Sequence, residues 1–358
     1  MRGVLRLIKR HWFKALAVAI IVYVFAFHVE WDEFAQAFAD VVWGYVLLAV
    51  LANFASIILK AASWKLIFDA SFRDMRSRWR DLTSAIMIGF LVNAIIPARM
   101  GEVARAYVIS RRQAILGKPV SRSTVFGTVV LERVFDGVAM AMIVIYGVVE
   151  MDLPSWANRG AIVLIVLSAL FGVILVMLEI KREKLKVGAR AAAEVSGDHQ
   201  NWRRRAATRL YGVLARFSEG QRVLRSPLRV AGIFTTTSLS WLSQLLAVYF
   251  SLYAFNLGSI GIIGALLLLI LINVAGALPA TPGNVGVFQL ATVIPLTVTY
   301  GISKSTALAF SIGLQVIEGS IGVGVGSLCL LREGLSFRQV REQSMKEVED
   351  DLEVPPAD

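Results

Sequence analysis

An all-α polytopic membrane protein, with six full spans and two opposed broken or re-entrant helical hairpins, is the architecture that three features of the sequence predict. The 358-residue chain is 56% apolar and only 18% charged, with a mean hydropathy of +0.65. No soluble core absorbs that much apolar surface, which excludes a soluble enzyme as the first reading. Apolar runs of about twenty residues, the helix length that crosses hydrocarbon, recur along the chain. Two further apolar segments are interrupted by Pro and Gly.

The six full spans are Phe13 to Val29, Trp43 to Ile67, Val125 to Val149, Gly160 to Leu178, Val230 to Phe255 and Thr306 to Leu331. The first has the look of a signal peptide, with Arg2, Arg6, Lys9, Arg10 and Lys14 ahead of a short apolar run and Ala35-Gln-Ala37 as a mock cleavage site. Because so many spans follow it, a retained helix is the expected reading. Orientation follows from the loops. Glu30, Asp32, Glu33 and Asp40 occupy a connection without Lys or Arg, whereas Lys65, Arg73, Arg76, Arg78 and Arg80 crowd the next, so the amino terminus is expected in the cytoplasm.

Net charge is +11, and most of it lies in one loop: Lys181 to Arg229 holds thirteen basic side chains against four acids. Topology accounts for that excess without nucleic acid. Leu210, Val213, Leu214, Phe217 and Leu224 fall near helical spacing there, which fits a helix on an anionic leaflet as well as it fits a solvated loop. Residues 1–332 are thus expected as one transmembrane domain carrying a basic 181–229 loop, and 333–358 as a disordered cytoplasmic tail. Cys329 has no disulfide partner, and His11, His28 and His199 lack metal-ligand spacing. No metal and no cofactor are expected.

Leu82 to Ile96 is too short to cross, about 22 Å as a helix against a core of about 30 Å. Basic clusters flank it on both sides, so it is expected to enter and turn back. It runs into Asn93-Ala-Ile-Ile-Pro97-Ala-Arg99-Met-Gly101-Glu102-Val-Ala-Arg105. Pro97 ends or kinks a helix, and Gly101 permits backbone angles closed to other residues. If helix resumes at Gly101, Glu102 and Arg105 stand one turn apart, and with Arg99 they make two cations and one anion. A guanidinium fork suits phosphate oxygens; an interfacial arginine reaching lipid phosphates is the plainer alternative.

The span after Val125 carries Glu132, Arg133 and Asp136 about 15 Å from its start. Thr124, Thr128, Glu132 and Asp136 recur every fourth residue, a polar stripe that must face the bundle or a wet cavity. The trio keeps one negative charge, opposite to the surplus near Arg99. It reads as a structural ion-pair network to the first hairpin, or as a switch that reforms when an anionic ligand replaces a carboxylate.

The second misfit, Ile260 to Thr299, turns at Leu278-Pro279-Ala-Thr-Pro282-Gly283-Asn284-Val-Gly286-Val-Phe288-Gln289, with a new helix expected near Val287. Amides at that helix start attract anions. By parity this hairpin enters from the face opposite the first, as in the inverted architecture of transporters. The two segments are too dissimilar to form a repeat on letters alone, and a pair of short full spans at either site keeps the same parity. Gly322, Gly324 and Gly326 read as helix packing, and Thr235 to Ser240 with Gln244 as hydrogen bonds to neighbouring helices.

Taken together, Asn93, Pro97, Arg99, Gly101, Glu102 and Arg105, then Glu132, Arg133 and Asp136, then the PGNVGVFQ turn make the chain resemble the flippase-like transmembrane region of lysylphosphatidylglycerol synthases, over roughly Trp12 to Arg332. The resemblance implies a lipid flippase or transporter of the bacterial plasma membrane, multi-pass with both termini cytoplasmic. It implies no synthase activity, because only twenty-six residues follow Arg332. The family's turn usually reads Pro-Gly-Gly-x-Gly followed by a glutamate; here Asn284 and Gln289 stand at the second glycine and at the acid. Asn tolerates such backbone angles, but the missing carboxylate removes any proton coupling or cation recognition assigned to it.

The expected substrate is an anionic or phosphate-containing lipid. Asn93, Arg99, Glu102, Arg105, Pro282, Gly283, Asn284, Gly286 and Gln289 are its candidate binding residues, with Glu132, Arg133 and Asp136 as a gate or lock. Membrane lipids are the expected partners, with a lipid-modifying enzyme as a further one. The rival readings are a membrane-embedded enzyme on a lipid-linked substrate, with Glu132 or Asp136 as base, and a scaffold acting through the basic loop.

Overall fold

The computed structural model describes residues 29–72, 77–96, 100–150, 166, 170, 173, 177, 222–276 and 281–343. Every regular element among the described residues is helical: α1 (Trp31–Ala39), α2 (Trp43–Ser71), α3 (Trp79–Ile95), α4 (Gly101–Ile115), α5 (Arg122–Glu150), α6 (Pro227–Ala254), α7 (Gly261–Gly276), α8 (Val287–Val298) and α9 (Lys304–Arg332), with short 3-10 turns at Arg222–Arg225, Gly258–Ile260 and Pro282–Asn284. The outward faces of α2, α5 and α9 are apolar, with Leu47, Leu51, Met142, Tyr146, Val316 and Leu328 exposed. Such faces suit lipid rather than water.

Three described helical stretches are long and apolar enough to cross a membrane: Trp43–Ser71, Gly258–Gly276 and Lys304–Arg332. The expectation of six spans is larger. Its first and fourth members lie outside the described residues, apart from Val29 in the first and four positions in the fourth. α5 and α6 have the length but are diluted by buried charges and by the Thr235 to Ser240 hydroxyls. The first arm of the second hairpin, with its leading turn, is long enough to cross alone, whereas α8 is about 18 Å long. The proposed membrane helix of the basic loop falls almost wholly outside the described residues.

Local signals set the breaks. Ile96, which precedes Pro97, is extended at φ −102° and ψ 128°, as the proline ring requires of its predecessor, and α3 stops there. α4 resumes at Gly101 and α8 at Val287, as the Pro/Gly pattern predicts. The chain past Arg332 departs from the expected disordered tail. It turns at Gly334 (φ 61°), is helical over 337–343, and buries Leu335 and Val340 against the α3 and α4 core. Burial of those apolar side chains explains the order.

Two contacts hold the frame. α2 and α6 lie side by side through small polar residues, with Ser63 and Thr237 hydroxyls 2.9 Å apart and Ser240 Oγ donating to the Ser56 carbonyl at 2.8 Å. This matches the hydrogen-bonding role expected for the Thr235 to Ser240 run. α9 crosses α3 where a Cβ on Gly326 would lie 2.5 Å from the Met87 carbonyl oxygen, and one on Gly322 would lie 2.9 Å from Phe90 Cβ. Only hydrogen fits at that crossing. Gly324 meets nothing within 4 Å.

Candidate functional site

The first break is closed by a side chain. Asn93 Oδ1, on the last turn of α3, accepts from the Gly101 amide at 2.7 Å, so the first free N–H of α4 is capped across the gap. The two helical arms of this hairpin touch so closely that a Cβ on Gly101 would sit 2.2 Å from the Gly89 carbonyl oxygen. That approach carries Glu102 and Arg105 toward α5.

Glu102 and Arg105 do not pair with each other. Arg133 Nη2 meets Glu102 at 3.0 Å, and Arg105 donates to Glu132 in a pair that is 3% and 1% exposed. Arg105 also lies over the Trp64 ring at 4.3 Å, and Trp64 Nε1 donates to Thr128 Oγ1 at 3.0 Å. Lys60 of α2 completes the cluster, 2.5 Å from Asp136 and 3.2 Å from Glu132, while Arg133 reaches Asp136 at 3.2 Å. All four members of the polar stripe, Thr124, Thr128, Glu132 and Asp136, are buried. Three cations therefore face three carboxylates: the negative surplus of the α5 trio is met by Lys60 of α2, and Arg99, which made the hairpin's inferred positive surplus, lies outside the described residues.

The second break is held from α9. Gly283 (φ 62°), Asn284 (φ 58°) and Gly286 (φ 90°) adopt left-handed backbone, so asparagine does stand in for glycine at the second position. Gln289 Oε1 accepts from the Gly286 amide at 2.7 Å, Gln289 Nε2 donates to Gln315 Oε1 at 2.6 Å, and Gln315 Nε2 donates to the Gly283 carbonyl at 2.8 Å. The Asn284 amide donates to the Thr281 carbonyl at 3.1 Å. The turn's tip reaches the first hairpin: a Cβ on Gly283 would lie 3.3 Å from the Ala94 carbonyl oxygen.

Between the two tips lies a cavity of about 310 Å³. Lys60 and Asn53 enter it from α2, Asn93 from α3, Glu102 from α4, Arg133 and Asp136 from α5, Trp241 and Gln244 from α6, Gly283 and Asn284 from the turn, and Gln315 and Glu318 from α9. Four of these residues carry a buried polar atom without a hydrogen-bond partner among the described residues: Glu102 Oε2, Arg133 Nε, Trp241 Nε1 and Glu318 Oε1. Buried polar atoms are ordinarily satisfied, so four open valences on one cavity mark a place for water or ligand.

The sequence pattern of the family described as lysylphosphatidylglycerol synthase TM region matches residues 12–326. The chain belongs to that family. It is 22% identical to the Glycosyltransferase AglD of Haloferax volcanii over a 304-position alignment that covers 76% of this chain and 46% of the relative. It is 26% identical to a UPF0104 membrane protein of Methanocaldococcus jannaschii over 236 positions, covering 63% of this chain and 87% of the relative. The chain thus spans less than half the length of the first of these. No solved structure matches it.

Within this lysylphosphatidylglycerol synthase TM-region protein, the residues singled out from sequence divide by position. Asn93, Glu102, Arg133, Asp136, Gly283 and Asn284 line the cavity. Arg105 and Glu132 are buried behind it as a pair, and Gln289 and the Gly286 amide bind each other. Pro282 opens the 3-10 turn, and Arg99 lies outside the described residues. Lys60, Trp241, Gln315 and Glu318 were missed. For Lys60 and Glu318 the signal was in plain view, since each is an ionisable residue well inside an apolar span. Among the described residues no group of three or more His, Cys, Asp or Glu side chains is arranged to hold a metal.

Proposed function

We propose that the protein is an integral membrane lipid flippase or transporter that passes a phosphate-containing headgroup through the cavity between its two broken hairpins. The observation that carries this reading is the pair of unsatisfied donors, Arg133 Nε and Trp241 Nε1, opening on a cavity walled by both hairpin tips. A phosphate ester supplies acceptor oxygens for both, and a fork-shaped guanidinium binds it well. About 310 Å³ accommodates a headgroup rather than acyl chains, which remain in lipid.

The cavity cations are paired before a ligand arrives, so binding works by exchange. A phosphate takes the place of Glu102 or Asp136 on Arg133, and the displaced carboxylate turns to Lys60 or water. Arg133 is about one-third exposed and suits this exchange, whereas Arg105 is sealed against Glu132 and Trp64 and acts as a positioning residue. Arg99, which lies in the sequence between α3 and α4, adds a positive charge that attracts anionic headgroups. The hairpins enter from opposite faces of a bacterial plasma membrane whose cytoplasmic side holds both termini, with the Lys181 to Arg229 loop on the anionic leaflet.

The test is translocation of a fluorescent phosphatidylglycerol in vesicles reconstituted with the purified protein. Wild type moves the probe between leaflets and Arg99→Ala does so at least tenfold more slowly at equal folded yield. Probe movement no faster than in protein-free vesicles overturns the reading. Conversion of a lipid-linked substrate to product in detergent, where leaflets do not exist, supports the membrane-embedded enzyme instead.

A further inference from the structure

We infer that Glu318 is the binding site of a small monovalent cation, H⁺ or Na⁺, carried together with the headgroup; the coupling rests on the transport reading above, the cation site does not. The inference begins with the charges on the cavity. Lys60, Arg105 and Arg133 are matched by Glu102, Glu132 and Asp136 through five ion pairs. Glu318 is additional. Among the described residues it forms no ion pair, its Oε1 has no hydrogen-bond partner, and it lines the same cavity.

Its position separates it from the cation cluster. Asn53 Nδ2 donates to the Glu318 backbone carbonyl at 3.2 Å, and Asn53 precedes Lys60 by seven residues on α2. Two helical turns place the Glu318 backbone about 10 Å from the Lys60 backbone level along the α2 axis. The charged and titratable groups on the cavity are Lys60 from α2, Glu102 from α4, and Arg133 and Asp136 from α5. α3, α6 and α7 contribute amides, hydroxyls and apolar groups, among them Asn93, Gln244 and Asn273.

An unpaired carboxylate in apolar surroundings is costly unless a cation neutralises it. A phosphate entering a cavity with one uncompensated negative charge doubles that charge. A proton or sodium ion on Glu318 cancels one of those two negative charges, so the loaded cavity carries no more charge than the empty one, and amide oxygens of Asn53, Gln244 and Gln315 are lining groups of the kind that complete a sodium shell.

Infrared difference spectra of the purified full-length protein in detergent read the site without any lipid movement. Spectra are taken between acid and alkaline pH, then at fixed alkaline pH with NaCl against choline chloride. A carboxyl carbonyl band that bleaches with alkali in wild type, is lost in Glu318→Gln and is shifted in Glu318→Asp assigns a proton. A carboxylate band displaced by NaCl alone and absent from Glu318→Gln assigns sodium. Superimposable wild-type and Glu318→Gln spectra in both series, at equal helical content, overturn the inference. In vesicles, a pH or sodium gradient then accelerates the phosphatidylglycerol probe in wild type and not in Glu318→Gln. A probe that stays still while the infrared band persists counts against the transport reading alone.

Discussion

Arg105 of the first hairpin and Glu132 of α5 form a buried ion pair that shares its carboxylate with Lys60 and its guanidinium with the face of Trp64. One interaction thereby ties the consecutive helices α4 and α5 to α2, which lies about thirty residues earlier in the sequence. Removing Glu132 leaves Arg105 buried without an acidic partner, at a cost of about 3–5 kcal/mol, and removing Arg105 leaves the buried Glu132 with Lys60 as its remaining cation. Arg105→Ala and Glu132→Ala are each expected to lower the thermal midpoint sharply or to abolish folded yield in detergent. Arg105→Met combined with Glu132→Leu is expected to recover much of it, because both desolvated charges are gone.

The hairpin crossings predict a contrast between glycines. Gly101→Ala forces a methyl group to 2.2 Å from the Gly89 carbonyl oxygen, a clash with backbone that costs at least about 2 kcal/mol. Gly324→Ala, in the same helix as Gly326 but facing nothing within 4 Å, is expected to be neutral or stabilising by up to about 1 kcal/mol. Thermal unfolding of the two variants side by side checks the pair.

At the second break, Gln289 does two jobs: it accepts from Gly286 and donates to Gln315. Gln289→Ala loses both hydrogen bonds and is expected to cost about 2 kcal/mol. Gln289→Glu keeps the acceptor but sets a buried carboxylate against the Gln315 Oε1 acceptor, so at neutral pH it is expected to cost at least as much as Gln289→Ala. Denaturation midpoints of the two variants give the order.

Much of this frame was legible before the coordinates. Helix restarts at Gly101 and Val287 follow from Pro and Gly, which act on the nearest turn and need no tertiary information. The α5 stripe was legible because charges a turn apart at membrane depth have one tolerable direction to face. Partners were not legible. Whether Arg105 meets a phosphate or Glu132 depends on how close α4 comes to α5, which Gly89 and Gly101 set together from opposite arms. Gln289 posed the same difficulty, since an amide near a helix start caps the backbone or faces a cavity according to rotamer. Span counting stayed open at α7, where parity allows either a re-entrant arm or a short full span, and the helix with its leading turn has the length to cross.

Outside the bundle, Glu33 of α1 accepts hydrogen bonds from the Ser303 and Thr306 hydroxyls at the start of α9. Those bonds hold its carboxyl below the ordinary value of 4.5. A folded-state pKa below the unfolded one stabilises the fold above the unfolded pKa, and that stability is lost as pH falls through the folded pKa. Wild type is therefore expected to lose more thermal stability between about pH 6 and pH 3 than Glu33→Gln does. Equal losses count against the docking of α1 on α9 through this carboxylate.

The central claim, that open donors in the cavity hold a lipid phosphate during transfer, is tested most directly by Trp241→Phe in the vesicle translocation assay. The substitution keeps a six-membered aromatic ring and removes the five-membered part of the indole with its N–H, which has no partner among the described residues, so the protein should fold with a stability loss of no more than about 1–2 kcal/mol from the smaller side chain. Loss of one hydrogen bond to a charged group, worth about 1.5–3 kcal/mol, predicts probe translocation at least about tenfold slower than wild type. Translocation at the wild-type rate by a fully folded Trp241→Phe protein would contradict the account.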